Sequence, residues 1–192
     1  MSKYSLSSRV LIFCLAGAAL AFSEHRLQAQ VNVDIYSGFS ASGGGAPYSG
    51  LVGSFGSTDV MFATNTGFNW HPFGLADFGA DITGFLSVAA DGDYGFGLNS
   101  DDGSLLFIDG NLVVDNGNAH GPNSAFNTAT LSAGTHPFEV QFFECCGGQS
   151  GVDLSLGAGV SYAPEPASLT ILVAGLLCPL VARRRPRSAP RC

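Results

Sequence analysis

The sequence predicts an all-β fold: an antiparallel β-sandwich, jelly-roll-like, forming a single domain flanked by two apolar targeting helices. Three observations carry this. Short runs rich in β-branched and aromatic residues recur between clusters of Gly, Asn, Asp and Ser, while no long stretch of the body has helical periodicity. In "IDGNLVV" an Asp-Gly-Asn stands between two apolar runs, the signal of a tight hairpin. The segments "EVQFFE" and "VDLSL" alternate partly between apolar and polar residues, as half-buried strands do.

Residues 1–29 read as a secretory signal peptide. Lys3 and Arg9 form a basic leader, and Val10 to Phe22 is an apolar run of 13 residues, too short to span a bilayer comfortably. Ala29 supplies a small residue before a cut at Gln30. An uncleaved anchor is the alternative. The body, residues 30–163, is long enough for one domain with a real core. Its strand candidates, in order, are "VNVDIYSGF", "DVMFAT", "ITGFLSV", "GDYGFGLN", "SLLFIDG", "NLVVDN", "THPFEVQFFE" and "GVDLSLGAG". Eight short strands in one domain indicate a sandwich or barrel. Ser37 to Gly50 reads as a flexible loop and "DGDYG" (Asp91 to Gly95) as a hairpin turn. "NAHGPNSAFN" (Asn118 to Asn127) reads as a polar loop that either lines a ligand site or only links strands.

Residues 164–192 have three parts in order: Pro164-Glu165-Pro166, an apolar run of 16 residues from Ala167 to Ala182, and a basic cluster, Arg183, Arg184 and Arg185. Sixteen helical residues reach about 24 Å, short of a hydrocarbon core of about 30 Å. The arginines favour the cytoplasmic side. This arrangement resembles the PEP-CTERM sorting tail of Gram-negative bacteria. The resemblance implies passage through the secretion machinery, a transient inner-membrane anchor in the C-terminal helix, and processing by an exosortase near the Pro-Glu-Pro. It also implies a mature body at the cell surface or in an extracellular matrix. An ordinary C-terminal membrane anchor is the alternative.

Charge narrows the partners. All eight Lys and Arg lie near the two ends, so residues 30–164 contain none. Of the 15 acids only Glu24 and Glu165 fall outside that window, which leaves 13 within it. Such a body repels nucleic acid and anionic surfaces and attracts cations; acidic solubility is the plainer reading. Within it, Asp101 and Asp102 stand side by side in "GLNSDDGSLLFIDG". On an extended strand neighbouring side chains point to opposite faces, so both carboxylates meet one ion only if the backbone kinks. A solvated Asp-Asp-Gly turn is the competing reading.

The run "FGADITGFLSVAADGDYGFGLNSDDGSLLFIDGNLVVDN" is similar to the protective-antigen/flocculin-type β-sandwich of bacterial toxins, yeast flocculins and some glycosidases. The matching pieces are Thr83-Gly84-Phe85, then Gly92, Tyr94 and Phe96, then Ser100 to Gly103, then Asp109-Gly110. "HPFEVQFFECCGGQSGVDLSL" fits the closing strands, and the best match covers residues 75–158. The resemblance implies that the paired aspartates are joined by a cis peptide bond and hold Ca2+. It also implies further ligands from the loop near Glu144, where a carboxylate replaces the family's usual neutral group, and in which Gly147 and Gly148 line the ligand site. Asn99 is a weaker ligand candidate.

Cys145 and Cys146 stand in that loop. Adjacent Cα atoms lie about 3.8 Å apart, below the usual disulfide range of about 4.4–6.8 Å, yet export favours oxidation. An intramolecular disulfide is therefore expected, with free thiols or intermolecular bonds as alternatives. Trp70, the only tryptophan, is either a sugar-stacking platform or a core residue. His71, His120 and His136 read as loop or sheet-surface residues. No paired carboxylates at a recognisable spacing, Ser-His-Asp set or phosphate loop indicates catalysis, so no enzyme is expected. The expected function is an exported, calcium-dependent carbohydrate-binding or adhesion module of the bacterial surface or polysaccharide matrix. The alternative is a structural matrix protein with no specific sugar ligand.

Overall fold

The computed structural model describes residues 31–62 and 70–165. The signal segment 1–29, Pro166, the apolar run after it and Arg183, Arg184 and Arg185 lie outside the described residues, and so do both expected targeting helices. The described chain is all β. Its strands are β1 Val31–Gly38, β2 Ser49–Ser57, β3 Met61–Phe62, β4 Phe78–Val88, β5 Gly92–Asp101, β6 Ser104–Ile108, β7 Asn111–Asn116, β8 Asn123–Leu131, β9 Gly134–Glu144, β10 Gly151–Leu156 and β11 Val160–Ala163.

They form two antiparallel layers. The larger sheet runs β2-β1-β4-β9-β6-β7, with β11 also paired to β4, and the smaller runs β3-β10-β5-β8. The core between them follows from the two-residue period of a strand. Along β9 the side chains of Phe138, Val140 and Phe142 are buried, while Pro137 is exposed. From the facing sheet Phe96, Leu98, Val152 and Leu154 point inward. Each such side chain taken from water contributes about 1.5–3 kcal/mol. The β6–β7 hairpin turns on Asp109 and Gly110, whose φ values of 52° and 75° give the two left-handed residues that an Asp-Gly turn supplies.

Several expectations differ from what is found. Of "DVMFAT", Met61–Phe62 form β3, and its last two residues lie outside the described residues. Asp91 to Gly95 is not a hairpin, because β4 and β5 belong to different sheets and the turn carries the chain across the sandwich. Ser49–Ser57 and Asn123–Leu131 are strands, so the expected loops are shorter than their composition suggests. Both are edge strands exposed along most of their length, which removes the apolar alternation that marks a strand. A further strand, β11, follows the two that were expected to close the domain. The segment before β2 is packed rather than loose. The Tyr48 hydroxyl accepts the Phe142 N–H at 3.0 Å and sits 2.7 Å from the Gly44 carbonyl. Gly44 is buried so close to β9 that a Cβ there would lie 2.7 Å from that of Gln141.

His71, in the loop before β4, and His136, on β9, are buried, at 5% and 8% exposure, rather than at the surface. His136 ties two turns together. Its Nδ1 lies 2.7 Å from Asp109 Oδ2 and its Nε2 lies 3.0 Å from the Ser132 carbonyl. The Asp109 hydrogen bond, then the Ser132 carbonyl, raise the imidazole pKa above its ordinary value, and burial opposes them.

Two outcomes are expected. Phe142→Ala should lower the unfolding free energy by about 3–5 kcal/mol in a denaturant titration. Leu112→Ala, at a site 51% exposed, should change it by less than about 0.5 kcal/mol. The second concerns pH. Because the folded-state pKa of His136 lies above the ordinary 6.5, its contribution is complete below that value. It is lost as pH rises through the folded pKa. Stability of the wild-type chain should therefore fall relative to His136→Gln as pH rises from the ordinary imidazole pKa of about 6.5 into the alkaline range; parallel curves would remove the pair from the stability account.

Candidate metal centre

One end of the sandwich gathers three carboxylates. Asp101 is the last residue of β5, Asp102 follows it, and Glu144 is the last residue of β9. The peptide bond between Asp101 and Asp102 is cis. Each residue offers one carboxylate oxygen such that these atoms all lie within 4.8 Å of one another. All three are buried, with exposures of 9%, 6% and 1%.

Nearby segments fix Asp102. Its Oδ1 accepts the backbone N–H of His120 at 2.8 Å, and its Oδ2 accepts the backbone N–H of Cys145 at 2.9 Å. The β7–β8 and β9–β10 loops are thus both tied to one carboxylate. Behind it lies a buried polar network. Ser100 Oγ and Ser104 Oγ are 2.8 Å apart, Asn116 donates to Ser100 Oγ at 2.9 Å, and Asn123 donates to Asn116 at 3.1 Å. His120 Nε2 lies 2.9 Å from the Asn116 carbonyl. Gly103 closes the turn where three segments meet: a Cβ there would lie 2.6 Å from the Asn118 carbonyl oxygen and 2.7 Å from that of Gly43.

The electrostatics are unfavourable without a cation. Two unit charges 4.8 Å apart repel by about 3.5 kcal/mol at an effective dielectric of ~20, and residues 30–164 supply no Lys or Arg to offset this. Burial pushes the Glu144 carboxyl up to about 8, helped by Asp102, Asp101 and Asp77. Burial, then Asp102, raise Asp101, with His120 opposing. Glu144 Oε2 is buried with no hydrogen-bond partner. An all-oxygen, anionic donor set with an orphaned oxygen suits a hard divalent cation such as calcium, and not a thiolate- or imidazole-seeking metal.

The other candidates sit around this end in different ways. Asn99 is exposed on β5 two residues before Asp101. Gly147 and Gly148 are exposed in the β9–β10 loop with φ of 73° and 142°. Cys145 and Cys146 are joined to each other by a disulfide, with Cα atoms 3.7 Å apart. Trp70 is half-buried, stacked on Phe62 at 4.3 Å and edge-on to Phe78 at 5.4 Å, so its ring packs against the core. Pro164 and Glu165 follow β11 directly. Sequence reasoning missed the two backbone donors and the Ser100–Ser104–Asn116–Asn123 network. The Asn- and Gly-rich stretch from Asn116 to Asn123 was their one visible sign.

A model for the PA14 domain matches residues 43–165, and one for the PEP-CTERM protein-sorting motif matches residues 163–185. No curated protein matches the chain. Among solved structures, an anti-sigma factor domain-containing protein from Clostridium clariflavum is 18% identical with a TM-score of 0.57, over 70% of this chain and 44% of that one. A PA14 sugar-binding domain from an RTX adhesin is 16% identical with a TM-score of 0.54, over 67% of this chain and 89% of that one. The PA14 domain of the MpAFP antifreeze protein is 16% identical with a TM-score of 0.56, over 72% and 93%. The chain spans less than half the length of the two anti-sigma factor domain-containing proteins, 44% and 46%. At these identities the likenesses establish the fold. The family match takes in all but the first strand and part of the loop after it, so the chain belongs to the PA14 domain family and carries a PEP-CTERM sorting motif directly after its last strand.

Proposed function

We propose that this protein is an exported adhesion module that binds glycans through a calcium ion held by Asp101, Asp102 and Glu144. The observation that carries the reading is the buried carboxylate trio with the unpartnered Glu144 Oε2 in a body without Lys or Arg. Calcium would supply a hard centre whose open positions accept vicinal sugar hydroxyls. The chain's own residues orient and enclose. The His120 and Cys145 N–H groups fix the direction of Asp102, and Gly147 and Gly148 leave open space beside Glu144. Similarity to a sugar-binding domain of an adhesin supports a glycan as ligand. The PEP-CTERM motif supports export, with exosortase processing near Pro164–Pro166, transient inner-membrane anchoring and delivery to the surface or matrix.

The test is thermal unfolding of the full-length protein with calcium and with a chelator, followed by a glycan screen. Calcium at 100 times its dissociation constant should stabilise by about 2.7 kcal/mol, several degrees for a domain of this size. Asp101→Ala with Asp102→Ala should abolish that shift. A calcium shift without any glycan bound would favour a structural matrix protein, and no shift would remove the metal site.

A second outcome concerns the disulfide. Cys145→Ser with Cys146→Ser frees the loop that presents the Cys145 N–H to Asp102. Calcium affinity, followed by titration calorimetry, should fall about tenfold, equivalent to ~1.4 kcal/mol. Unchanged affinity would show that the remaining loop contacts hold Asp102 in place.

A further inference from the structure

A second feature lies on the outer face of the smaller sheet. Phe126 on β8 is 74% exposed. Its cross-strand neighbour on β5 is Gly97, and Gly97 in turn pairs with Ser155 on β10. The Phe126 ring lies across Gly97, where a Cβ would collide with it. Two pairs further along, Gly95 faces Thr128, and two pairs in the other direction Asn99 faces Ser124. Phe126, Asn127, Thr128, Ser155 and Leu156, with the backbone of Gly95 to Gly97, line a shallow groove of about 370 Å³. The result is one aromatic ring over a glycine floor, rimmed by short hydroxyls and an amide.

The groove and the carboxylate end lie along the same strands, β5 and β10, where Asp101 pairs with Gly151 and Gly97 with Ser155. Ser100 pairs with Asn123, and Gly97 pairs with Phe126 three residues later, about 10 Å along the strands. The β7–β8 loop that holds Asp102 runs straight into β8. An occupant bound at the carboxylates that extends along the outer face of β5 would reach Phe126 within a few sugar rings. The lining selects its chemistry. A body with 13 acids and no Lys or Arg repels nucleic acid, acidic chains and anionic lipid. One exposed aromatic ring, with Leu156 beside it and Asn127, Thr128 and Ser155 at the rim, suits the mixed apolar and hydroxyl faces of a neutral sugar.

We propose that the outer face of β5, β8 and β10, centred on Phe126, is a second glycan-contacting platform that receives further rings of a neutral polysaccharide chain without using calcium. This rests on the glycan reading above and extends it from one ring to a chain.

The experiment titrates the full-length protein with cello-, malto- and xylo-oligosaccharides of one to six rings, in calcium and in chelator. Wild type is compared with Phe126→Ala, Phe126→Trp and the Asp101→Ala/Asp102→Ala double variant. Phe126→Ala should weaken six-ring binding about three- to tenfold and leave single-ring binding unchanged, and Phe126→Trp should restore it. The double variant should lose single-ring binding and keep residual six-ring binding. If chelator has no effect while Phe126→Ala still weakens six-ring binding, the calcium reading fails and the platform stands. Six-ring affinity unchanged in Phe126→Ala overturns the platform, as does the absence of binding across all three series. A wild-type dimer that Phe126→Ala converts to monomer assigns the face to a second copy and overturns it as well.

Discussion

Three carboxylates held together under the protein surface, in a body with no lysine or arginine, form the constraint on which the rest of the site depends. When both of its members are ionised, a pair of these carboxylates repels by about 3.5 kcal/mol, comparable to the loss of a large core side chain. The fold meets it by local means. Two backbone N–H groups from different loops saturate Asp102, and a buried Ser and Asn network holds the strand ends that carry Asp101 and the turn after it. Glu144 is left with a raised pKa and a bare oxygen. The β7–β8 loop and the segment before β2 meet at Gly103, where no side chain fits. Site and framework are therefore one problem in packing: the polar atoms that position the acids also close the end of the sandwich.

What the sequence made legible follows from burial. Strands with a buried face, such as β9 and β5, show it as alternation and are readable. Strands β2, β8 and β11 lie at edges or pair along a short span, so packing demands little of their side chains, and their Gly, Ser, Asn and Thr read as loop. The acids of the site were visible as residues, because a carboxylate pair in an apolar setting is unusual. Their supports were not. A backbone N–H from His120 or Cys145 leaves no mark in composition, and the meeting of Gly43, Asn118 and Gly103 joins segments far apart in sequence. Histidines 71 and 136 mislead for a related reason: each is buried with a ring nitrogen engaged, by the Phe73 N–H and by Asp109 and Ser132 respectively, partners that lie in turns.

The PA14 fold and the sorting motif together give a protein whose interior is ordinary and whose chemistry is concentrated at one end. The sheets supply rigidity, and the loops at the ends of β5, β7 and β9 supply the polar atoms. That division lets loop composition vary while the frame persists, consistent with similar folds recurring at 15–18% identity.

The ends of the described domain have a mechanical consequence. The chain enters at Val31 beside Asn32, which pairs with Thr83, and leaves at Ala163, which pairs with Phe85. Both exits therefore sit midway along β4, and the carboxylates lie beyond its start, where Phe78 pairs with Glu144. Seven residues separate Phe78 from Phe85, about 23 Å. A load applied between Ala163 and the carboxylate end runs parallel to the strands. It enters through the four pairs of β11 with β4 and passes on to the ladder between β4 and β9, each 11 residues long, in shear, so that the hydrogen bonds of each ladder bear the force together instead of opening one after another. With Pro164 directly following the paired Ala163, no slack segment within the described residues absorbs that pull before it reaches the sheet.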